Sequence, residues 1–249
     1  MANHFPLRLI GSRMLAPSVR HLDFARDDGQ PLDFIPGQFI QVHFNYPDGT
    51  ATKRSYSLAT IHDHALGPGE AVEIAVSYVP GGAATALFTA LDEGQQIQAS
   101  GPYGRFCLGA ADHNQRYLLI GTGTGVTPYR AMLPELARLM ASRGVEIVLL
   151  FGARTPAELI YGEDFYRFAA QHPGFRFVPC FSRELPPGAH PDVRRGYVQQ
   201  ALLEFAPDRE GDIAYLCGNP NMVDSAFDAL KLQGLPIPHI RREKYVSSK

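Results

Sequence analysis

Tyr117-Leu118-Leu119-Ile120, running into Gly121-Thr122-Gly123-Thr124-Gly125-Val126-Thr127-Pro128, is the stretch that decides the fold. An unbroken apolar run followed by glycines predicts a buried strand that empties into a tight turn. Beyond the turn, Tyr129, Met132, Leu133, Leu136 and Met140 recur on one helical face, and Pro134 predicts a bend in that helix. Thr127 suits a helix cap and Pro128 the first helical position. Glycines at such a junction let the backbone approach a phosphate, whose charge the helix N-terminus favours. The spacing departs from the usual dinucleotide fingerprint, because Gly125 falls one residue before the third glycine would. The next strand, residues 146–151 (EIVLLF), leads into Arg154, where an acid often holds a ribose hydroxyl. Read alone, the turn fits an ordinary Gly-rich loop as well as a nucleotide site.

Downstream the rhythm continues. Residues 175–181 and 213–217 read as buried strands, and residues 157–171, 198–205 and 221–232 as helices. Strands alternating with helices predict a doubly wound parallel sheet. Upstream the period differs. Residues 39–44 (FIQVHF), 72–79 (VEIAVSYV) and 95–99 are short β-type runs separated by Pro36-Gly37, Pro47-Asp48-Gly49, Gly67-Pro68-Gly69 and Gly81-Gly82. Regular short strands with Gly/Pro turns predict an antiparallel barrel or sandwich, with a short helix at residues 83–91. The change of period places a domain boundary near residues 111–115, giving domains 1–112 and 113–249.

Composition narrows the function classes. With 45% apolar and 19% charged residues the chain is globular, and a formal charge of −2 argues against a nucleic-acid binder. No apolar run approaches the roughly 20 residues of a membrane-spanning helix, and the N-terminus lacks a secretory signal, so the expected location is cytoplasmic. Cys107, Cys180 and Cys217 are too few and too scattered for a disulfide framework, a zinc site or an iron–sulfur cluster, so no metal is expected.

Other segments carry chemistry when taken with the turn. Arg54-Ser55-Tyr56-Ser57 offers a cation, an aromatic face and hydroxyls, with Tyr56 pointing opposite Ser55 and Ser57. Gly101-Pro102-Tyr103-Gly104 reads as a turn, and Cys217-Gly218-Asn219-Pro220-Asn221-Met222 ends an apolar strand. In this order, from Phe34-Ile35-Pro36-Gly37-Gln38-Phe39 to the C-terminus, the chain resembles the ferredoxin–NADP reductase superfamily.

The resemblance implies an antiparallel Greek-key β-barrel that binds FAD, followed by an α/β domain with a doubly wound parallel sheet that binds NADP(H). By the family's flavin motif, Arg54 would hold the pyrophosphate and Tyr56 would stack on the isoalloxazine. Ser57 would hydrogen-bond near flavin N5, and Ser55 lies within the same motif. Gly82-Ala83-Ala84-Thr85 is similar to the second pyrophosphate segment, and Ala75-Val76-Ser77 would give backbone contacts. Gly123, Thr124 and Gly125 match the nicotinamide-nucleotide turn, with Thr124 between the two cofactors. Cys217, Gly218, Asn219 and Met222 match the motif that brings a thiol to the nicotinamide. Glu243-Lys244-Tyr245 resembles the Glu-x-Tyr ending of plant-type members, whose aromatic covers the flavin. Here the chain runs on through Val246-Ser247-Ser248-Lys249, similar to an extension in a bacterial branch, so the tail is expected to return to the flavin.

Nucleotide choice rests on Ser182-Arg183 and Arg195-Gly196-Tyr197, which resemble the pairs that grip a 2′-phosphate and stack adenine, together with Arg154. Guanidinium groups suit phosphate geometry, so NADP is expected. Ser57, Cys217, Glu243 and Tyr245 are the candidate catalytic residues. The expected partner is a ferredoxin or flavodoxin, and the expected state a monomer. Two other readings stay open: an NADH-dependent reductase of an oxygenase or of free flavin, and a nucleotide-binding electron-transfer subunit or sensor without turnover of its own.

Overall fold

The computed structural model describes residues 3–246. The chain divides into two compact units, one built on residues 3–108 with Thr127–Pro134, the other on Gly109–Val126 with Glu135–Val246.

In the first unit the strands are β1 (His4–Ala16), β2 (Val19–Arg26), β3 (Phe39–Asn45), β4 (Ala51–Ser57) and β5 (Ala71–Ser77); helix α1 (Ala83–Ala90) and strand β6 (Gln96–Tyr103) follow. They form one antiparallel six-stranded sheet in the order β4-β3-β6-β1-β2-β5. A bridge from Leu58 to Ile74, with the Ala59 N–H donating to the Glu73 carbonyl at 2.7 Å, brings the end of β4 to β5 and curls the sheet into a barrel. Alternation explains the core. Phe5, Leu7, Leu9, Leu22, Phe24, Ile40, Val42 and Ile74 point inward and are fully buried, each worth about 1.5–3 kcal/mol of apolar burial.

Beside this core, His21, Asp23 and Glu73 hold ligand-type atoms within 4.8 Å of one another. Arg13 and Arg130 already bind the two carboxylates, so the cluster is a salt-bridged network and offers a cation little.

In the chain beyond, β7 (Arg116–Thr122) leads through a 3₁₀ turn at Gly123–Val126 into α2 (Thr127–Ala131) and α3 (Leu133–Arg143). Then come β8 (Glu146–Ala153), α4 (Gly162–Gln171), β9 (Phe175–Phe181), β10 (Arg194–Arg195), α5 (Val198–Leu203), β11 (Asp212–Gly218), α6 (Pro220–Leu232) and β12 (Ile240–Lys244). The strands form an all-parallel sheet in the order β10-β9-β8-β7-β11-β12. Consecutive strands run outward from β7 on one side, and the chain then crosses over to β11 on the other. The switch point therefore lies between the carboxyl ends of β7 and β11, where such sheets bind ligands.

The helix expected across Met132 is broken there, not bent. Pro134 sits in the first turn of α3, where its missing N–H costs nothing. The helix expected from residue 157 starts at Gly162, after a 3₁₀ turn at Pro156–Glu158, with Glu163 and Asp164 favouring its N-terminus. Among the described residues no helix is long and apolar enough to cross a membrane.

Candidate active site

In the barrel unit, β4 presents alternating side chains: Arg54 and Tyr56 are half-buried, Ser55 is exposed, and Ser57 is buried where the strand ends. Tyr56 stands edge-on to Phe88 of α1, with ring centroids 5.3 Å apart and planes at 88°. Burial drives its phenol far above the usual range, so it stays protonated. Arg54 donates to the Tyr46 hydroxyl at 2.8 Å, and to Thr52 Oγ1 and the Lys53 carbonyl at 2.9 Å. All three acceptors are neutral, so among the described residues no carboxylate pairs with the guanidinium, which suits it to an anion.

Ala75 and Val76 are buried in β5, while Ser77 is exposed at its end. Thr85 closes the loop that follows. Its hydroxyl accepts the Val79 N–H at 2.8 Å and donates to the Val79 carbonyl at 3.0 Å. Gly82 stands at the N-cap of α1 in extended conformation and offers no side-chain cap, so no cap covers the first-turn amides at Ala83, Ala84 and Thr85. Arg20 donates to the Phe88 and Leu91 carbonyls at the opposite end of α1, complementing the helix dipole. An uncapped first turn with a free-charged arginine on the same unit is a fitting cradle for a pyrophosphate.

In the parallel unit, β7 and β11 meet backbone to backbone. A Cβ on Gly125 would lie 2.3 Å from the Cys217 carbonyl oxygen and 2.5 Å from Gly218 Cα. Gly218 has φ +126°, and a Cβ there would lie 2.5 Å from the Thr122 carbonyl oxygen. Only glycine serves at either position. The Asn219 N–H donates to Thr122 Oγ1 at 3.1 Å, and Asn219 Oδ1 caps α6 by accepting from the amides of Asn221 (2.9 Å) and Met222 (3.4 Å). Gly123 is exposed and Thr124 half-buried on the turn between.

Cys217 is fully buried, flanked across the ladder by Gly121 on β7 and Glu243 on β12. The Tyr245 N–H donates to the Gly218 carbonyl at 2.8 Å, and its phenol hydrogen-bonds the Cys217 sulfur. Burial, with Glu243 adding to it and the Tyr245 bond opposing, raises the thiol well above its usual pKa, so Cys217 is a neutral group and no nucleophile. Burial also pushes the Glu243 carboxyl up to about 7. The fourth expected catalytic residue, Ser57, lies on the barrel unit.

Glu243 makes stability depend on pH. Its folded pKa stands above the ordinary 4.5, so between those values the folded state holds more protons than the unfolded. Stability is full below that ordinary value and falls as pH rises through the folded pKa, by up to about 3 kcal/mol. Glu243→Gln should therefore melt closer to wild type at about pH 5 and increasingly above it by about pH 8. Thermal melts across that range check this, and a gap that does not widen with pH contradicts it.

At the other carboxyl ends, the Ser182 N–H donates to the Ala153 carbonyl at 3.1 Å, and the Arg183 N–H to the Arg154 carbonyl at 2.9 Å. β10 places Arg195 beside Phe181, and Tyr197 follows, 60% exposed. Arg183 and Arg195 are exposed, and neither forms an ion pair among the described residues. Arg154 differs. Glu158, four residues on, binds its Nε at 2.8 Å and its backbone N–H at 3.2 Å, so its charge is already answered. Met222 is buried in the core beneath α6, away from solvent. Thr122, within the glycine turn, and Tyr46 and Glu158, which lie outside every quoted motif, complete these sites. The Arg154–Glu158 spacing of four was the available signal for one of them. Val246 is exposed, and Ser247–Lys249, part of the tail expected to reach the flavin, lie outside the described residues.

Comparison with known proteins places both units in known families. Residues 6–107 match the oxidoreductase FAD-binding domain family, and residues 119–228 the oxidoreductase NAD-binding domain family. Ferredoxin–NADP reductase B of Sorangium cellulosum is 33% identical over 98% of this chain and 98% of its own length. The reductase subunit of an aromatic O-demethylase from Amycolatopsis sp. is 35% identical over 90% of this chain, which spans 66% of that protein. The crystal structure of the Amycolatopsis reductase GcoB superposes with a TM-score of 0.83 at 32% identity, covering 98% of this chain and 70% of that one. The chain belongs to the ferredoxin–NADP reductase family and is an FAD- and nicotinamide-nucleotide-binding oxidoreductase. Its relatives include both ferredoxin–NADP reductases and the longer reductase components of oxygenases.

Proposed function

We propose that this chain is a ferredoxin–NADP(+) reductase, moving a hydride between NADP(H) and FAD and single electrons to or from a ferredoxin or flavodoxin. FAD, when bound, supplies an acceptor that takes a hydride whole and can release its electrons singly. The protein's part is holding, orientation and electrostatics. Arg54, which no carboxylate pairs with among the described residues, and the uncapped turn at Gly82–Thr85 hold the pyrophosphate, with backbone contacts from Ala75, Val76 and Ser77. Tyr56, kept protonated and braced by Phe88, supports the flavin ring, and Ser55 and Ser57 flank it. Gly123, Thr124, Gly125, Gly218 and Asn219 form the nicotinamide side of the nucleotide site. Cys217 shapes the place of the ring, Glu243 holds or releases a proton near neutrality, and Tyr245 bonds the thiol. Ser182, Arg183, Arg195 and Tyr197 bind the 2′-phosphate end. Arg154, neutralised by Glu158, is left a supporting place, and Met222 acts through packing. We assign the FAD part to residues 1–112 and the nucleotide part to residues 113–249, in a cytoplasmic monomer.

The observation that carries this reading is the two exposed arginines, Arg183 and Arg195, near adjoining strand ends, neither in an ion pair among the described residues. It is supported by the near-complete match in length to a ferredoxin–NADP reductase. A second reading, an NADH-dependent reductase serving an oxygenase, is favoured by the likeness to the aromatic O-demethylase subunit. Steady-state rates with NADPH and NADH against ferredoxin, flavodoxin and free flavin decide between them. NADPH preference with a protein acceptor is expected; NADH preference would select the second reading.

A further inference from the structure

β12 is a short strand at the edge of its sheet, paired among the described residues with β11 alone. Yet it carries Glu243, the carboxyl set beside Cys217. Edge strands of five residues fray unless something pins them, and a slip by one residue turns every side chain to the other face. On the face turned away from Glu243, Arg242 lies over the Phe227 ring at 4.0 Å and Lys244 pairs with Asp224 at 2.7 Å. The face that carries Glu243 has a different anchor.

Arg241, Glu243 and Tyr245 alternate onto that face, opposite Tyr215 and Cys217 of β11. One guanidinium nitrogen of Arg241 donates to the Tyr215 hydroxyl at 2.6 Å and another to Asp112 Oδ1 at 2.5 Å. Tyr215 in turn donates to Asp112 Oδ2 at 3.0 Å, closing a ring of three side chains. Asp112 is itself fixed by the Gly109 N–H at 3.0 Å, and its backbone carbonyl accepts from Arg143. Tyr215 stacks on Tyr117 of β7, with ring centroids 6.5 Å apart. Such a closed, partly buried ring of hydrogen bonds specifies geometry more than it adds stability.

We propose that Arg241 is a positioning residue for Glu243: clamped by Asp112 and Tyr215, it fixes the register and depth of β12 so that Glu243 stays half-buried beside Cys217. The proposal rests on Glu243 belonging to the active site, as read above. It does not depend on which nucleotide or acceptor is used, so the two can fail separately. The titratable and charged groups on this face are Tyr117, Tyr215 and Cys217 on the neighbouring strands, Arg241 and Tyr245 on β12, and Asp112 with Arg143 below.

The sign of one measurement separates positioning from plain electrostatics. Removing a cation near a carboxylate raises its pKa, whereas loosening the strand admits water and lowers a pKa that burial had raised. The test is an infrared titration of the Glu243 carboxyl in the purified FAD-loaded protein, its protonated band assigned by its loss in Glu243→Gln. Wild type should titrate near 7. Arg241→Met should titrate about one pH unit or more lower, and Arg241→Lys, which keeps the pair with Asp112, should recover most of the difference. Tyr215→Phe, which keeps the Arg241–Asp112 ion pair and removes both hydrogen bonds of the Tyr215 hydroxyl, should show a smaller fall in the same direction. It decides the matter if Arg241→Met does not fold. An unchanged or higher value in the folded variants would overturn the proposal.

Discussion

Cys217→Ser is expected to slow flavin reduction by NADPH by about 10²-fold while FAD stays bound, the loss typical of a reacting group displaced by an ångström. The thiol is completely buried, with Gly121 on one side and Glu243 on the other, and it accepts the Tyr245 hydroxyl. A serine Oγ is smaller than sulfur and sits closer to the backbone. It therefore leaves the surface that sulfur shapes and rearranges the bond to Tyr245. Burial keeps the thiol protonated, so the effect acts through position. FAD content, measured after acid release, should match wild type, because none of the barrel's candidate FAD residues is altered. Stopped-flow absorbance gives the rate, and a wild-type rate in the variant would return Cys217 to a packing role.

Arg183→Ala and Arg195→Ala should each weaken NADPH and spare NADH. A hydrogen bond to a charged group contributes about 1.5–3 kcal/mol, so losing one costs roughly 10- to 150-fold in affinity. Both residues are exposed near strand ends brought together by the β9–β10 pairing, and among the described residues neither forms an ion pair, although Glu158 feels the charge of Arg183. Arg154→Ala should cost much less, because Glu158 already holds that guanidinium and the anion would have to displace it. Titrations of each variant with both nucleotides test this. Equal losses for NADPH and NADH would assign the arginines to the fold.

The contrast among these arginines shows where sequence reasoning stopped. The strand–turn–helix at residues 117–131 was legible because its apolar run and glycines are local signals, and the same holds for β8 and β9. The strands β1 and β2 carry a weaker local signal. In β1 the alternation that buries Phe5, Leu7 and Leu9 is broken after Leu9 by an irregularity at Gly11, so period two is lost over the rest of the strand. β12 was hidden for another reason: Arg241, Arg242 and Lys244 make it read as a polar tail, and only its pairing with β11 defines it. Within the site, Gly125 and Gly218 had a visible purpose, and the contacts with Cys217 and Thr122 supply it. That Thr85 would spend its hydroxyl on Val79, that Met222 would face the core, and that Glu158 would answer Arg154 are tertiary facts. A motif assigns residues to a site; the partners decide which of them remain available to a ligand.

The central claim is that this chain reduces its flavin with NADPH. Anaerobic mixing of the FAD-loaded protein with NADPH and, separately, with NADH tests it most directly, the loss of flavin absorbance being followed in the stopped flow. The account predicts rapid, complete bleaching with NADPH and a markedly slower or weaker response to NADH. Flavin that stays oxidised under NADPH, or that NADH reduces faster, would contradict it.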